Sequence, residues 1–207
     1  MCCTISGIIG IVILAYLIGS IPTGYIVVKT LKGLDIREVG SGNTGATNVK
    51  RVMGTGWYLF VMLFDSIVKG LLPVLGAKYL EAKYGLFQEL HILPVLVAVA
   101  IIIGHSKSIF LGFAGGKSVA SGVGAITALN WQTGVISIVL WTLMTYFSKI
   151  VSISSIIVIL LTPLWMVLFK QPLSYVIFCL LGALYIVYLH RENIKRLLSG
   201  TENKIRQ

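Results

Sequence analysis

Apolar residues in this chain gather into long runs, at about 5–28, 57–80, 91–104, 118–130, 133–148, 151–169 and 173–189, separated by short polar stretches. Runs this long and this poor in charge read as helices bathed in lipid. A helix perpendicular to the bilayer needs roughly 20 residues to cross the hydrocarbon. The third, fourth and fifth runs fall short, so they tilt, extend into their flanks or pair as a re-entrant hairpin. The pattern predicts an all-α polytopic membrane protein, with residues 1–207 as one transmembrane domain. It has seven transmembrane helices, or five if short runs pair.

Composition strengthens that reading. Hydrophobic residues make up 57% and charged residues only 12%, with mean hydropathy +0.93, against about a quarter charged in soluble domains. The net charge is +10, from 17 Lys and Arg against 7 Asp and Glu. With the N-terminus outside, thirteen of these cations fall in inner segments: Lys29, Lys32, Arg37, Lys50, Arg51, Lys107, Lys117, Lys149, Arg191, Lys195, Arg196, Lys204 and Arg206. Only Lys78, Lys83 and Lys170 fall outside, and Lys69 lies within a run. Basic loops are retained on the cytosolic side, so the C-terminus is cytosolic. The same distribution accounts for the basic excess without nucleic acid, since no aromatic-interleaved basic patch is present. The first run has no positive n-region and reads as a span, not a cleaved signal peptide. Cys2, Cys3 and Cys179 form no disulfide framework or metal pattern and read as apolar filler, with a lipid anchor as the alternative for the first two.

Three polar stretches fall on the predicted inner face. The first, Gly40-Ser41-Gly42-Asn43-Thr44-Gly45-Ala46-Thr47-Asn48-Val49-Lys50-Arg51, combines turn-forming glycines with short donors and a guanidinium able to grip phosphate at two points. It is either an anion site or a tight loop whose glycines serve only its geometry. The second runs from Gly104-His105 to Gly115-Gly116-Lys117-Ser118. Its ending is like a nucleotide P-loop, but the first glycine is displaced: Leu111 occupies the required position and Gly112 follows it. What remains is a Gly-Gly turn opening a helix, with Lys117 directed at a phosphate or a lipid headgroup. His105 serves either in catalysis or in a helix-end hydrogen bond. The third, His190-Arg191-Glu192-Asn193-Ile194-Lys195-Arg196 onward to Glu202, puts His190 and Asn193 on one helix face and Glu192 and Arg196 in pairing register on another. A basic amphipathic surface tail is its alternative.

Asp65 and Lys69, four apart inside the second run, read as a structural ion pair, because charges at membrane depth pair. Ser152 is either a phosphate donor or a helix cap. No Cys/His/carboxylate set calls for a metal, and no cofactor is indicated. These pieces suit either an enzyme acting on phosphate esters, or a membrane transporter or binder of a small phosphate ester. No internal repeat supports the transporter, whose site would sit near the midplane.

The three stretches, with Gly19-Ser20-Ile21-Pro22-Thr23-Gly24-Tyr25 before them and Asp65 to Lys69-Gly70 between, resemble the acyl-phosphate-dependent glycerol-3-phosphate acyltransferases of bacterial membranes. The resemblance runs through nearly the whole chain in the same order. It implies an acyltransferase of the bacterial cell inner membrane, its site facing the cytosol, that transfers a fatty acyl group from acyl phosphate to sn-glycerol 3-phosphate. The products are 1-acyl-sn-glycerol 3-phosphate and phosphate, in the first step of phospholipid synthesis. It points to His190, Asn193, Ser41 and Arg51 as catalytic. Gly42, Asn43, Asn48, Gly115, Gly116, Lys117 and Ser152 would bind phosphate, while Asp65, Lys69 and Glu202 would be structural. The chain departs from the family pattern at Ser108, Ala114 and Ser118, where Pro, Lys and Gly are usual, and its Asp65–Lys69 spacing is one residue longer. Acyl phosphate is already activated, so the chemistry needs two anions held, a hydroxyl aligned and an oxyanion stabilised. Arg51, Lys117, Ser41 and Asn193 suit those tasks, and His190 either accepts the hydroxyl proton or positions phosphate.

Overall fold

The computed structural model describes residues 2–85 and 89–205, with side chains from Ile5 onward. The side chains of Cys2 and Cys3 thus lie outside the described residues, as does Arg206, while Cys179 is buried. Helices α1 (Cys2–Ser20) and α2 (Thr23–Lys32) form the first apolar run, broken at Ile21-Pro22. Helix α3 (Ala46–Met53) follows a loop, and α4 (Thr55–Leu63) passes through a π-helical segment (Phe64–Leu71) into α5 (Leu72–Tyr84). Then come α6 (Ile92–Ser106), a 3₁₀ turn (Ile109–Leu111), α7 (Val119–Leu129), α8 (Trp131–Ser148), α9 (Val151–Leu168), α10 (Leu173–Leu189) and α11 (Arg191–Leu198). Among the described residues there is no strand, only an isolated bridge between Ser108 and Ala114.

Every predicted apolar run therefore falls on helix. By length and composition, Ile5–Lys32, Thr55–Tyr84 and Val151–Leu168 can each cross a bilayer, and α10 with α11, bent by 61°, makes a fourth candidate. Helix α7 has 11 residues and, at ~1.5 Å per residue, reaches about half the hydrocarbon thickness. Large apolar side chains such as Phe147, Leu173 and Leu181 are exposed around the outside, as a lipid-facing surface requires.

The π segment is where α4–α5 meets α7. Backbone approaches backbone there: a Cβ on Gly70 would strike the Ser121 carbonyl, and one on Gly124 would strike that of Ser66. Such glycine contacts let helices pack closely where lipid offers no hydrophobic drive. Asp65 and Lys69 both lie in this π segment and both are buried. Their side chains form a buried ion pair at 2.5 Å, with Thr23 Oγ1 donating to Asp65 Oδ1 at 2.9 Å and Lys69 Nζ donating to the Ile21 carbonyl at 2.5 Å. The pair thus ties the second span to the break in the first.

Helix ends buried in the bundle find partners. At the far end of α7, Lys78 Nζ donates to the carbonyls of Ala128 (3.0 Å) and Leu129 (3.2 Å), and Asn130 Oδ1 accepts from Thr133 N at 2.8 Å to start α8. Pro163 in α9 offers no donor to the Ile159 carbonyl; Thr162 Oγ1 supplies one at 2.8 Å. One apolar core, including Val97, Ile101, Ile126, Met166, Phe178 and Ile186, joins α6, α7, α9 and α10. A second, of Val27, Val28, Ile36, Val49 and Val61, seats the first polar stretch against α2 and α4.

Candidate active site

The first polar stretch is built around one side chain. Asn48 is 1% exposed. Its Oδ1 accepts from Ser41 N (2.9 Å), while Nδ2 donates to the carbonyls of Val39 (2.9 Å), Asn43 (3.0 Å) and Ile36 (3.2 Å). An amide whose oxygen and nitrogen are both bonded inside the loop acts as the loop's internal frame. The stretch is also not loop throughout: α3 begins at Ala46, and Arg51 in its last turn carries an exposed guanidinium to the rim of a cavity.

The second stretch folds back on the end of α6. Ser108 N donates to the Ala114 carbonyl (3.1 Å), Ser108 Oγ to that of Ser20 (2.5 Å), and Ser118 Oγ to that of Ile102 (2.8 Å). Gly116 N donates to the His105 carbonyl at 3.0 Å. A Cβ on Gly115 would meet the backbone of His105 and Ser106, and one on Gly116 would meet the His105 ring. The two glycines permit this close docking, and the turn delivers Lys117 to the cavity.

The third stretch closes the site. His190 ends α10 and Asn193 sits in the first turn of α11; both are buried and both line the cavity, as their spacing predicts. Lys117 Nζ donates to Asn193 Oδ1. Glu202 gathers the rest: Oε1 accepts from Asn193 Nδ2 (2.6 Å) and Ser152 Oγ (2.8 Å), and Oε2 from Arg196 Nε (2.7 Å). The expected Glu192–Arg196 pairing does not form. Arg196 is drawn to Glu202, and Glu192 faces Lys195 at 3.2 Å, because the buried carboxylate offers two bound partners and the exposed one offers water.

The resulting cavity, of about 330 Å³, is lined by Arg51, Lys117, His190, Asn193, Ser152, Asn43, Asn48, Asp65 and Glu202 from the predicted set. Ser41 and Gly42 are exposed and do not line it, nor do Gly115, Gly116 and Lys69. Residues that sequence reasoning did not single out form its apolar wall, notably Met62 and Leu63 of α4, Val123 of α7, and Ile138 and Trp141 of α8. Trp141 Nε1 donates to Ser155 Oγ at 3.0 Å, bracing α8 on α9. Apolar positions in a lipid-bathed helix carry no mark that separates this wall from the lipid face.

Burial and neighbouring cations set the titration. Burial, with Arg196 and Arg51 nearby and Glu202 opposing, pushes Lys117 down to about 8. Burial likewise pushes His190 down to about 4, with Lys117 adding to the shift and a hydrogen bond to the Ile186 carbonyl resisting it. That bond joins Nδ1 to the carbonyl at 2.8 Å. A carbonyl only accepts, so Nδ1 bears the proton and Nε2 of the neutral ring is the acceptor. Burial alone would raise the Glu202 carboxyl, yet hydrogen bonds from Asn193, Ser152 and Arg196 hold it below its ordinary value. Glu202 is thereby an anion already committed to Arg196, whereas no ion pair among the described residues engages Arg51 or Lys117.

Residues 9–200 match the family model described as glycerol-3-phosphate acyltransferase. The chain is 46% identical over 210 residues to a glycerol-3-phosphate acyltransferase of Trichormus variabilis, covering 95% of this chain and 91% of that protein. It is 47% identical over 209 residues to one of a Nostoc species, with the same coverage. Its fold is similar to the crystal structure of PlsY (YgiH), an integral membrane glycerol 3-phosphate acyltransferase, in the glycerol 3-phosphate form. The TM-score is 0.87 at 34% identity, over 97% of this chain and 96% of that one. The lysophosphatidic acid form gives a TM-score of 0.84 at 33% identity.

Proposed function

This chain belongs to the glycerol-3-phosphate acyltransferase family, and we propose that the cavity between α3, α7, α10 and α11 is where it acylates glycerol 3-phosphate with acyl phosphate as donor. It is a membrane acyltransferase whose product is lysophosphatidic acid. The observation that carries the site assignment is the convergence of Arg51 and Lys117, two cations that make no ion pair among the described residues, beside His190 and Asn193. Such a place is under-neutralised until an anion enters.

Arg51 and Lys117 hold phosphate, and Asn193 steadies Lys117. Ser41 lies on the exposed loop framed by Asn48, outside the cavity lining, and would meet phosphate only on its way in; Ser41→Ala should raise KM for glycerol 3-phosphate, and an unchanged KM removes it from the site. The acyl chain lies along Met62, Leu63, Val123, Ile138 and Trp141. Leu63 and Ile138 are 49% and 46% exposed on the outside of the bundle, which supports entry from the lipid.

In the reaction the glycerol C1 oxygen attacks the acyl carbonyl carbon. The carbonyl–O(phosphate) bond then breaks, and phosphate leaves with the electron pair. A ring whose proton affinity is lowered to about 4 is a poor resting base. His190 Nε2 accordingly accepts a hydrogen bond from the hydroxyl and orients it, and a phosphate oxygen of the donor takes the proton. The cations stabilise charge as it develops on the carbonyl and the leaving phosphate.

With the N-terminus outside and seven crossings, the site faces the cytosol of the bacterial inner membrane, where water-soluble glycerol 3-phosphate is available. The clustering of Lys and Arg at that end supports this orientation. The test is phosphate release from palmitoyl phosphate by purified protein, with and without glycerol 3-phosphate. Release that depends on glycerol 3-phosphate, with acylated product recovered, is expected. No release from folded protein overturns the reading.

A further inference from the structure

Beside the Gly115–Lys117 turn lies a second, small pocket of about 10 Å³, lined among others by Ser20, Asp65, Lys69, His105 and Ser108. Two of those residues present an unusual combination. Ser20 Oγ and His105 Nδ1 are both fully buried and have no hydrogen-bond partner among the described residues. Buried polar atoms in folded proteins are almost always paired, and those without a protein partner are paired by an internal water. The pocket has room for about one water, and its polar lining supplies the several partners such a water requires.

His105 also lines the substrate cavity, so its ring is the partition between the two spaces. The ring lies where a Cβ on residue 116 would stand, and the His105 carbonyl accepts from Gly116 N at 3.0 Å. The orientation of the ring therefore sets the path of the Gly115-Gly116 backbone, and that backbone aims Lys117 at Asn193. Ser20 enters from the other direction: its carbonyl already anchors Ser108 Oγ at 2.5 Å, at the opposite end of the same loop.

We propose that His105 is a positioning residue for the Gly115–Lys117 turn, and that one internal water shared by His105 Nδ1 and Ser20 Oγ holds its ring in place. His105 does not exchange protons with substrate. It acts through Lys117, and so on the binding of the phosphate ester more than on the chemical step. The kinetic consequence rests on the activity given above; the water site does not.

Two measurements on the full-length protein test the proposal. A high-resolution crystal structure in lipid should show one ordered water within hydrogen-bonding distance of both His105 Nδ1 and Ser20 Oγ. A dry pocket, or the two side chains bonded to each other, overturns the water site. In steady-state assays, Ser20→Ala, which leaves the substrate cavity untouched, should raise KM for glycerol 3-phosphate about threefold, and His105→Ala about tenfold. His105→Asn, which keeps a polar atom near the Nδ1 position, should fall between them. KM for acyl phosphate and kcat should stay within about threefold in all three. A collapse of kcat in His105→Ala at unchanged KM would place the ring in the chemistry and overturn the positioning role. Unchanged constants in both Ser20→Ala and His105→Ala also overturn it. If wild-type protein transfers no acyl group, the activity assignment fails, while the crystallographic result still decides the water site.

Discussion

Two lysines inside this protein meet their surroundings in opposite ways. Lys69 is 1% exposed, its ammonium set against the Asp65 carboxylate and the Ile21 carbonyl, with Thr23 completing the carboxylate's bonding. Lys117 is half-buried on the wall of a cavity; its hydrogen-bond partner is a neutral amide, and its nearby charges are Glu202, already paired with Arg196, and the cations Arg196 and Arg51. The first charge is neutralised within the protein and joins two spans. The second makes no ion pair among the described residues and rests on an amide; burial pushes its proton affinity down, with Arg196 and Arg51 adding and Glu202 opposing. A buried ion is structural when the fold supplies its counterion, and a binding group when a ligand must supply it.

Removing each lysine should separate these roles most clearly. Lys117→Ala is expected to lower kcat/KM for glycerol 3-phosphate about a thousandfold with little change in melting temperature. Lys69→Ala leaves Asp65 buried and unpaired and should destabilise by about 3–5 kcal/mol, with the surviving folded fraction keeping its KM. A thermal melt and a kinetic assay on both variants check this; a stable Lys69→Ala protein with a raised KM would break the comparison. His190→Ala, on the binding side of the contrast, should cost about a hundredfold in turnover with the fold intact. Near-normal turnover would remove His190 from contact with the hydroxyl.

If Lys69 matters only as half of a pair, then replacing both charges should do less harm than removing one. Asp65→Asn combined with Lys69→Met should recover most of the ~3–5 kcal/mol lost in the single variant, read as melting temperature in lipid or detergent. The smallest expected effect is on pH. Lys117 is charged below about 8 and neutral above it, so KM for glycerol 3-phosphate should rise as pH climbs through that value. Bound phosphate favours the ammonium, so the limb should move to higher pH at saturating substrate. His190, down near 4, is neutral throughout and should contribute no limb between pH 5 and 8. A limb near 6.5 that disappears in His190→Ala would show a more basic ring.

How much of this was legible beforehand differs between the motifs and their neighbours. The helical membrane class and the ion pair at membrane depth were readable, as was the sharing of one face by His190 and Asn193. Each follows from hydropathy or from spacing along a single helix. The role of Asn48 as the internal frame of its loop was not, because an Asn beside glycines reads equally as a ligand donor. Nor was the wall made by Met62, Val123 and Trp141, since a helix that is apolar all round does not mark which side it buries.

The solvent this chain folds in, the order of its helices and the chemical inventory of its site are all present in the residue order. Those depend on composition and on contacts within a few residues. Which charges are satisfied depends instead on packing between distant segments. Lys117 meets Asn193 across 76 positions, Ser152 meets Glu202 across 50, and Thr23 meets Asp65 across 42. Arg196 leaves Glu192, in register on its own helix, for Glu202. Pairings of that kind follow from helix packing and from the glycine contacts at Gly70 and Gly124. Local sequence offers a buried charge several partners at similar cost, and the packed bundle leaves it one.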